Sequence, residues 1–459
     1  MNEFHESDYY KNYLVVNDNE AFRFDSVIYN QINDVHPPLF YSLLHLLSSI
    51  FRNTFSKWYG LAINIIFFIC TEIYVYKISK HIIKTETSLN LIAPALYGFC
   101  LGTVSCVLYI RMYMVLSFWC IAFLYYSIRI MSNDRISDYI KCSLCALCGF
   151  LTQYYFVIFA FFVAISFFIC TILQKKGKII LKYFLINILA GCIGIVLFPA
   201  AINHVLNTDR GQESISNIGT GIKELIHKIY DFKNVVSIDM FGNKLVLDII
   251  FLVCLIIFIF LICQKKMKES IHVTALITLI ISCAGYFLLI SLIAPEIVSR
   301  YQYPIYPEVI LIISMLLITI CLYWDKSFIA YILCGLTIIL FLITPSFAKV
   351  PYLYKGYEAG LEKVKECESA MGIYLTHGDH IVINDTLFLS NQKQTYPVKF
   401  EEIDKLIEVM SQKSVDEIVL YVNIYYDSEE CSKKVANLFG LKNIEFIYDN
   451  AYTNIYHIY

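Results

Sequence analysis

The chain has 459 residues, of which 58% are hydrophobic and 16% aromatic, with a formal net charge of −2 and a mean hydropathy of +0.61. Soluble domains are about 45–50% apolar, so a single soluble core of this composition would leave too little polar surface to stay dissolved. The small net charge offers no basic surface for nucleic acid. These values exclude a single soluble globule and indicate a membrane protein.

The chain begins with about 35 polar residues and then enters a short apolar run, Leu39–Phe51. A membrane-spanning helix needs about 20 mostly apolar residues. The run is shorter than that and is interrupted by His45, Ser48 and Ser49. It therefore predicts an interfacial helix that lies against the membrane rather than crossing it.

Ten apolar stretches follow that are long enough, or nearly so, to cross a membrane. They lie at about 58–76, 90–109, 113–131, 139–152, 154–173, 180–201, 245–263, 271–293, 304–323 and 327–345. If the first span runs inward, the dense basic clusters at 77–84, 129–141, 175–182 and 265–268 all fall on the inner face. This agrees with the positive-inside rule and supports the interfacial reading of Leu39–Phe51.

The C-terminal segment, residues 346–459, has a different pattern and predicts a small extracytoplasmic α/β domain with a binding or positioning role. The β-like runs are His380–Asn384, Glu417–Val422, Glu445–Tyr448 and Asn454–Tyr459, and the helical patterns are Glu401–Ser411 and Glu429–Phe439. Cys367 and Cys431 could form one disulfide outside the cytoplasm, but the sequence does not fix the pairing. The remaining domains are a first outer loop with the interfacial helix (1–56) and a multispan domain (57–345).

The most informative polar segment is Asp34-Val35-His36-Pro37-Pro38, directly before the interfacial helix. Two prolines end any preceding helix and favour the start of the next. Asp34 and His36 are therefore expected at the boundary between water and lipid, where they could meet a charged head group. The alternative is a helix cap with a surface histidine.

Two arginine–tyrosine segments fall on the same outer face. Arg111 and Tyr113 stand between two apolar runs, and Arg300 and Tyr301 precede another. An arginine beside a span either snorkels or binds an anion, and an aromatic-belt anchor is the alternative for the later segment. His204 opens the long outer loop 202–244 and is a weaker candidate.

Acid, imidazole and two guanidinium groups thus converge on one face at membrane level. Arginine pairs bidentately with phosphate oxygens. The constellation suits a lipid-linked phosphate whose polar part lies at the interface.

The segment Asp34-Val35-His36-Pro37-Pro38-Leu39 resembles the Asp-x-His-Pro-Pro-Leu motif of the protein O-mannosyltransferase-like superfamily, which includes the dolichyl-phosphate-mannose–protein mannosyltransferases and bacterial relatives. Arg111-Met112-Tyr113 and Arg300-Tyr301 are similar to further elements of these enzymes. The resemblance covers about residues 10–345. It implies a polytopic α-helical GT-C-like fold, here with about ten transmembrane helices and an interfacial helix.

The resemblance also implies a reaction in the cell membrane. Such enzymes transfer a sugar from a polyprenyl-phosphate donor to an extracytoplasmic glycan, lipid or protein, with inversion at the anomeric carbon. Arg111 and Arg300 would bind the phosphate, with Tyr113, Tyr301 and His204 nearby. Asp34 and His36 would organise the acceptor side or a divalent metal, the only cofactor left open.

The sequence departs from the family pattern at its start. The family begins with a span followed by an acidic pair that supplies the catalytic base, and neither is seen here. Asp8 is the nearest substitute. A chain that starts inside the first outer loop is one explanation. The alternatives are a catalytically inactive GT-C-like protein and a transporter or flippase of lipid-linked precursors.

Overall fold

The structure is a computed structural model that describes most of the chain. The described residues are 2–84, 88–217, 221–246, 248–249, 252, 271–323, 327–350, 356–406, 415–450 and 452–459. They form two compact units. The membrane unit comprises Arg23–Leu46 and Lys57–Tyr352, and the sheet unit comprises Met1–Phe22, Leu47–Ser56 and Leu353–Tyr459.

Apolar helices make up the membrane unit, as the hydropathy pattern predicts. Among the described residues, six helices are long and apolar enough to cross a membrane: Lys57–Ile82, Tyr113–Asn133, Tyr155–Leu173, Gly177–Leu197, Val273–Ile293 and the run Ser299–Thr319. A bent pair, Ser88–Phe99 and Leu101–Leu108, breaks by 53° and gives up to seven spans if counted as one. The predicted span 245–263 lies almost wholly outside the described residues.

Further elements complete this unit. The bounds are Phe24–Ile32, Leu39–Ile50 (to Leu46 in this unit), Ile136–Thr152, Ala200–Leu206, Asp209–Ser216, Ile222–Phe241, the 3-10 segment Ser299–Ile305, Tyr306–Tyr323 and Ser327–Phe347. Leu39–Ile50 has 12 residues, and at 1.5 Å per residue it spans about 18 Å, too short to cross a membrane.

Helix Tyr113–Asn133 is the centre of the membrane unit. Of the residues in its apolar stretch, 78% are buried inside the protein, compared with 22% in the peripheral helix Gly177–Leu197. Close approach of neighbouring helices depends on small residues. A Cβ added to Gly149 would lie 2.3 Å from the buried ring of Phe156, so only glycine fits there.

In the described part of the sheet unit, six strands form one sheet in the order β1-β3-β2-β4-β6-β5. Their bounds are β1 His5–Glu6, β2 Met371–Leu375, β3 Gln394–Val398, β4 Ile418–Asn423, β5 Ile444–Asp449 and β6 Thr453–Ile458. Strand β2 is parallel to both β3 and β4, whereas β6 is antiparallel to β4 and β5. The helices Ser7–Leu14, Tyr357–Glu366 and Ser428–Phe439 accompany them. The small α/β domain is therefore present.

One predicted strand is wrong. His380–Asn384 is helical, in a short helix Asp379–Val382 and a 3-10 turn Ile383–Asp385. The buried carboxylate of Asp385 at the end of this turn accepts hydrogen bonds from Tyr374, Thr453 and Asn450. These tertiary bonds override the local β propensity of the run. The helical pattern Glu401–Ser411 lies partly outside the described residues.

The two faces of the sheet carry separate cores. Cys431 packs with Leu420 on one face, and Cys367 packs with Tyr421 on the other. Both thiols are free. Because successive residues of a strand point to opposite faces, the sheet itself separates the two cysteines. The disulfide considered from the sequence is therefore absent.

The N-terminal segment adds an edge strand to this sheet. β1 pairs antiparallel with β3, and the backbone N–H of Asn2 donates to the carbonyl of Pro397 at 2.8 Å. The following helix, Ser7–Leu14, carries Asp8, whose exposed carboxylate pairs with Lys11 at 3.1 Å. Asp8 thus belongs to the sheet unit rather than to the membrane unit that carries the other candidate residues.

Candidate functional site

The segment that carries Asp34 and His36 is a short connection between two helices of the membrane unit. Helix Phe24–Ile32 ends at Asn33, and helix Leu39–Ile50 begins directly after the buried Pro37 and Pro38. The carbonyl of Pro38 accepts the first helical bond from Ser42 N at 2.8 Å. The prolines thus fix the backbone that presents Asp34 and His36.

Arg111 lies in the turn between helices Leu101–Leu108 and Tyr113–Asn133. Its Nη1 donates to the Tyr41 hydroxyl at 3.1 Å, which connects it to the helix after the proline pair. The turn is held by buried Asn64, whose Nδ2 donates to the carbonyls of Val107 and Tyr109 at 2.9 Å each. The structure thus brings the first two sequence segments together, with Tyr41 between them.

His204 is buried rather than a plain loop residue. Its Nδ1 lies 2.8 Å from the Tyr154 hydroxyl, and its Nε2 lies 3.0 Å from the carbonyl oxygen of Ile32. Ile32 ends the helix that precedes Asp34. The imidazole therefore joins the outer-loop helix Ala200–Leu206 to the Asp34 segment.

The later arginine–tyrosine segment packs against the first through aromatic rings. The ring centroids of Tyr301 and Tyr113 are 6.5 Å apart, and Tyr155 lies 5.6 Å from Tyr301. The Arg300 guanidinium lies over the Tyr301 ring at 5.2 Å and pairs with the Glu296 carboxylate at 2.7 Å. Because Glu296 compensates its charge, Arg300 is less able than Arg111 to attract a second anion.

Electrostatic coupling identifies a further cation that the sequence reasoning missed. His36 interacts with the charges of Asp34, Arg111, Arg210 and His204. Arg210 is in helix Asp209–Ser216 of the outer loop. Within the part of the chain that the structure describes, neither Arg111 nor Arg210 forms an ion pair with a carboxylate. The sequence signal that could have identified Arg210 is an arginine in a loop predicted to lie on the outer face, where the positive-inside rule disfavours positive charge.

Burial lowers the pKa of His36 to about 4, and the guanidinium groups of Arg111 and Arg210 act in the same direction, while the carboxylate of Asp34 opposes them. The imidazole is therefore neutral at physiological pH. Among the described residues, its Nδ1 has no hydrogen-bond partner. His36 can thus donate or accept one neutral hydrogen bond to a bound group.

The arrangement combines a carboxylate, a neutral imidazole and two guanidinium groups without ion-pair partners. Such a site fits an anion at the arginines and a hydroxyl at Asp34. A metal site would need further ligands, and no group of three histidine, cysteine, aspartate or glutamate side chains suited to a metal occurs among the described residues. No chemical step is therefore assigned to a metal.

The apolar spans make the chain a multi-pass membrane protein, and its fold is the GT-C-like fold expected from the sequence. One solved structure that it matches is the crystal structure of ArnT from Cupriavidus metallidurans bound to undecaprenyl phosphate. The TM-score is 0.50 at 10% identity, over 98% of this chain and 95% of that chain. At this identity the likeness concerns the fold alone. No protein-family model and no curated protein matches the chain.

Proposed function

We propose that the chain is a membrane glycosyltransferase that transfers a hexosyl group from a polyprenyl-phosphate-linked donor to an acceptor hydroxyl. The observation that carries the proposal is that Arg111 and Arg210, which are far from the Asp34–His36 segment in sequence, act electrostatically on His36, and that Arg111 donates to Tyr41 in the helix after this segment. The GT-C-like fold supports it, as does the undecaprenyl phosphate bound to the structural neighbour ArnT.

In the proposed reaction, the acceptor oxygen forms a bond to the anomeric carbon while the bond from that carbon to the phosphate oxygen breaks, with inversion. The acceptor proton passes to the Asp34 carboxylate. Arg111 and Arg210 stabilise the negative charge that develops on the leaving lipid phosphate. Neutral His36 positions the acceptor or the donor by a hydrogen bond, and Tyr113, Tyr301 and Arg300 line the lipid side.

The proposed membrane polarity follows the basic clusters. With the lysine-rich loops in the cytoplasm, the site and the sheet unit face outward in the cell membrane. The acceptor would then be a cell-envelope glycan, lipid or protein. A mannosyl donor is the first to test because of the Asp-x-His-Pro-Pro-Leu segment.

The experiment measures sugar transfer from radiolabelled polyprenyl-phosphate mannose and glucose by the purified full chain in lipid vesicles. Arg111→Ala should lower the rate by about 10²–10³-fold, the usual effect of removing one oxyanion-stabilising group. Arg135→Ala removes an exposed arginine from an inter-helix loop and is the matched control. Unchanged transfer by Arg111→Ala contradicts the site, and absence of transfer with both donors contradicts the function.

A transporter or flippase of lipid-linked precursors is the second candidate. The bent helix pair Ser88–Phe99 and Leu101–Leu108 favours it, because broken spans accompany transport sites. Glu72 lies beside the break: a Cβ on Gly98 would be 2.9 Å from its Oε1. Flux of the same labelled lipids across the vesicle membrane, without sugar transfer, would favour this candidate.

A further inference from the structure

In the sheet unit, the order of the strands reverses at β2, and this creates a switch point at the carboxyl ends of the parallel strands. From β2 the chain moves outward to β3 and then returns to β4 on the other side of β2. In open sheets with parallel strands, ligands bind at such switch points, beyond the carboxyl ends of the strands. The segments after β2, β3 and β4 contain His377, Phe400–Glu401 and Tyr425–Tyr426 respectively.

These segments meet in one cluster. The His377 ring stacks on Tyr426 with centroids 4.3 Å apart and lies 5.7 Å from Tyr425. The Tyr426 hydroxyl is 3.2 Å from His377 Nδ1 and 3.5 Å from Glu401 Oε2. Phe400 lies 5.5 Å from Tyr426 on the remaining side. The cluster is therefore an aromatic platform with a carboxylate and an imidazole at its rim.

The platform faces solvent instead of closing a core. Tyr425 is 72% exposed, and His377 and Glu401 are exposed as well. Tyr426 is half-buried and packs on the core of the sheet. A large aromatic side chain in water next to a polar cluster is an unfavourable arrangement for stability alone, and such residues mark binding surfaces.

The charges at this edge favour a neutral ligand over an anion. The helix Ser428–Phe439 begins here, and helix N-termini attract phosphate. That position is already filled by the Asp427 carboxylate, which accepts from the backbone N–H groups of Glu429 and Glu430 at 2.9 Å each. Lys434, the cation over the Phe400 ring, is paired with Asp404 at 3.4 Å. A nucleotide or phosphate would thus meet Glu401 and Asp427 without a free cation among these groups.

We infer that the carboxyl edge of β2, β3 and β4 binds a neutral glycan, with one sugar ring stacked on Tyr425 and its hydroxyls hydrogen-bonded to His377 and Glu401. A pyranose ring has an apolar C–H face that suits an aromatic ring and hydroxyls that suit a carboxylate and an imidazole. The inference deepens the proposed function, because it names a glycan as the class of acceptor or product held by the sheet unit.

The test measures binding of neutral hexasaccharides of glucose, mannose and galactose to the full chain in detergent micelles, by saturation-transfer difference NMR. Tyr425→Ala should weaken binding by about tenfold, the loss expected for one stacked ring. Glu401→Gln should weaken it less. Tyr459→Ala is the matched control. Tyr459 is also exposed, at 43%, but it follows the antiparallel strand β6 and therefore lies at the opposite end of the strands from Tyr425.

Each result of the hexasaccharide-binding experiment either supports or overturns the inference. Absence of binding by all three hexasaccharides up to about 10 mM overturns the inference, because such an affinity would not exceed that of a nonspecific contact. Equal binding by Tyr425→Ala and the original chain also overturns it. Competition by inorganic phosphate or uridine diphosphate would assign the edge to an anion instead. Sugar transfer is measured on the same preparations of the original chain and of Tyr425→Ala, so failure of glycan binding and failure of sugar transfer are distinguishable.

Discussion

The two units satisfy their buried polar side chains in different ways. In the membrane unit, many buried hydroxyls bond within their own helix: Ser314 Oγ donates to Ile310 O at 2.7 Å, and Thr71 Oγ1 to Phe67 O at 2.8 Å. In the sheet unit, buried Asp385 bonds to residues 11 to 68 positions away in the chain. A helix in lipid forms the hydrogen bonds of its polar groups within itself, whereas a small mixed sheet depends on hydrogen bonds between distant segments.

The largest expected effect tests the sheet side of this comparison. Asp385→Ala removes the carboxylate that accepts from the Tyr374 and Thr453 hydroxyls and from the Asn450 amide, and the bond between the two hydroxyls at 3.0 Å replaces it for one of them at most. The free energy of unfolding of the sheet unit should fall by about 3 kcal/mol, since each buried unsatisfied group is costly. Resistance to protease in increasing urea measures this change.

Asp385→Asn is the control for that prediction. Burial raises the pKa of Asp385, so the folded unit favours the protonated acid and loses stability as pH rises through that pKa. The neutral amide should retain much of the stability and remove this pH dependence. Ser314→Ala in the membrane unit should change stability by less than about 0.5 kcal/mol, because its hydroxyl bonds only to its own helix. A large effect there would contradict the comparison.

A smaller effect is expected where packing alone stabilises the membrane unit. Gly149→Ala places a methyl group 2.3 Å from the Phe156 ring and should destabilise the unit by about 1–3 kcal/mol. Gly191→Ala meets no atom within 4 Å and serves as the matched control. The midpoints of thermal unfolding of the two variants are measured in one detergent and compared. Equal midpoints would show that the close contact at Gly149 is not stabilising.

The smallest expected effect concerns the polar cluster around His36, where side chains of the membrane unit interact between different segments rather than within one helix. Because His36 titrates near pH 4 rather than near 6.5, it should add no ionisation to the rate of sugar transfer between about pH 5 and 8. The transfer rate is measured across that range for the original chain and His36→Gln. A step near pH 6.5 that disappears in His36→Gln would show that the imidazole is not held neutral.

The candidate site was predictable in part. Asp34, His36, Arg111 and Arg300 stand out in sequence because charged side chains beside apolar runs are costly. Tyr41 and Asn64 were missed, because a tyrosine in an apolar run and an asparagine in a span have no distinctive local signal. Arg210 was missed although it is an arginine in a loop predicted to lie on the outer face. Their roles depend on which segments come together, as with Tyr41, whose hydroxyl lies 3.1 Å from Arg111.

The sequence by itself determined the membrane nature of the chain, the positions of the described spans and the shortness of helix Leu39–Ile50. Each follows from hydropathy over a window of about 20 residues, because a helix in lipid satisfies its own backbone. The helical turn at His380–Asn384, the addition of β1 to the sheet and the separation of Cys367 from Cys431 were decided only by tertiary structure. These features depend on contacts between distant segments, which local propensity does not encode.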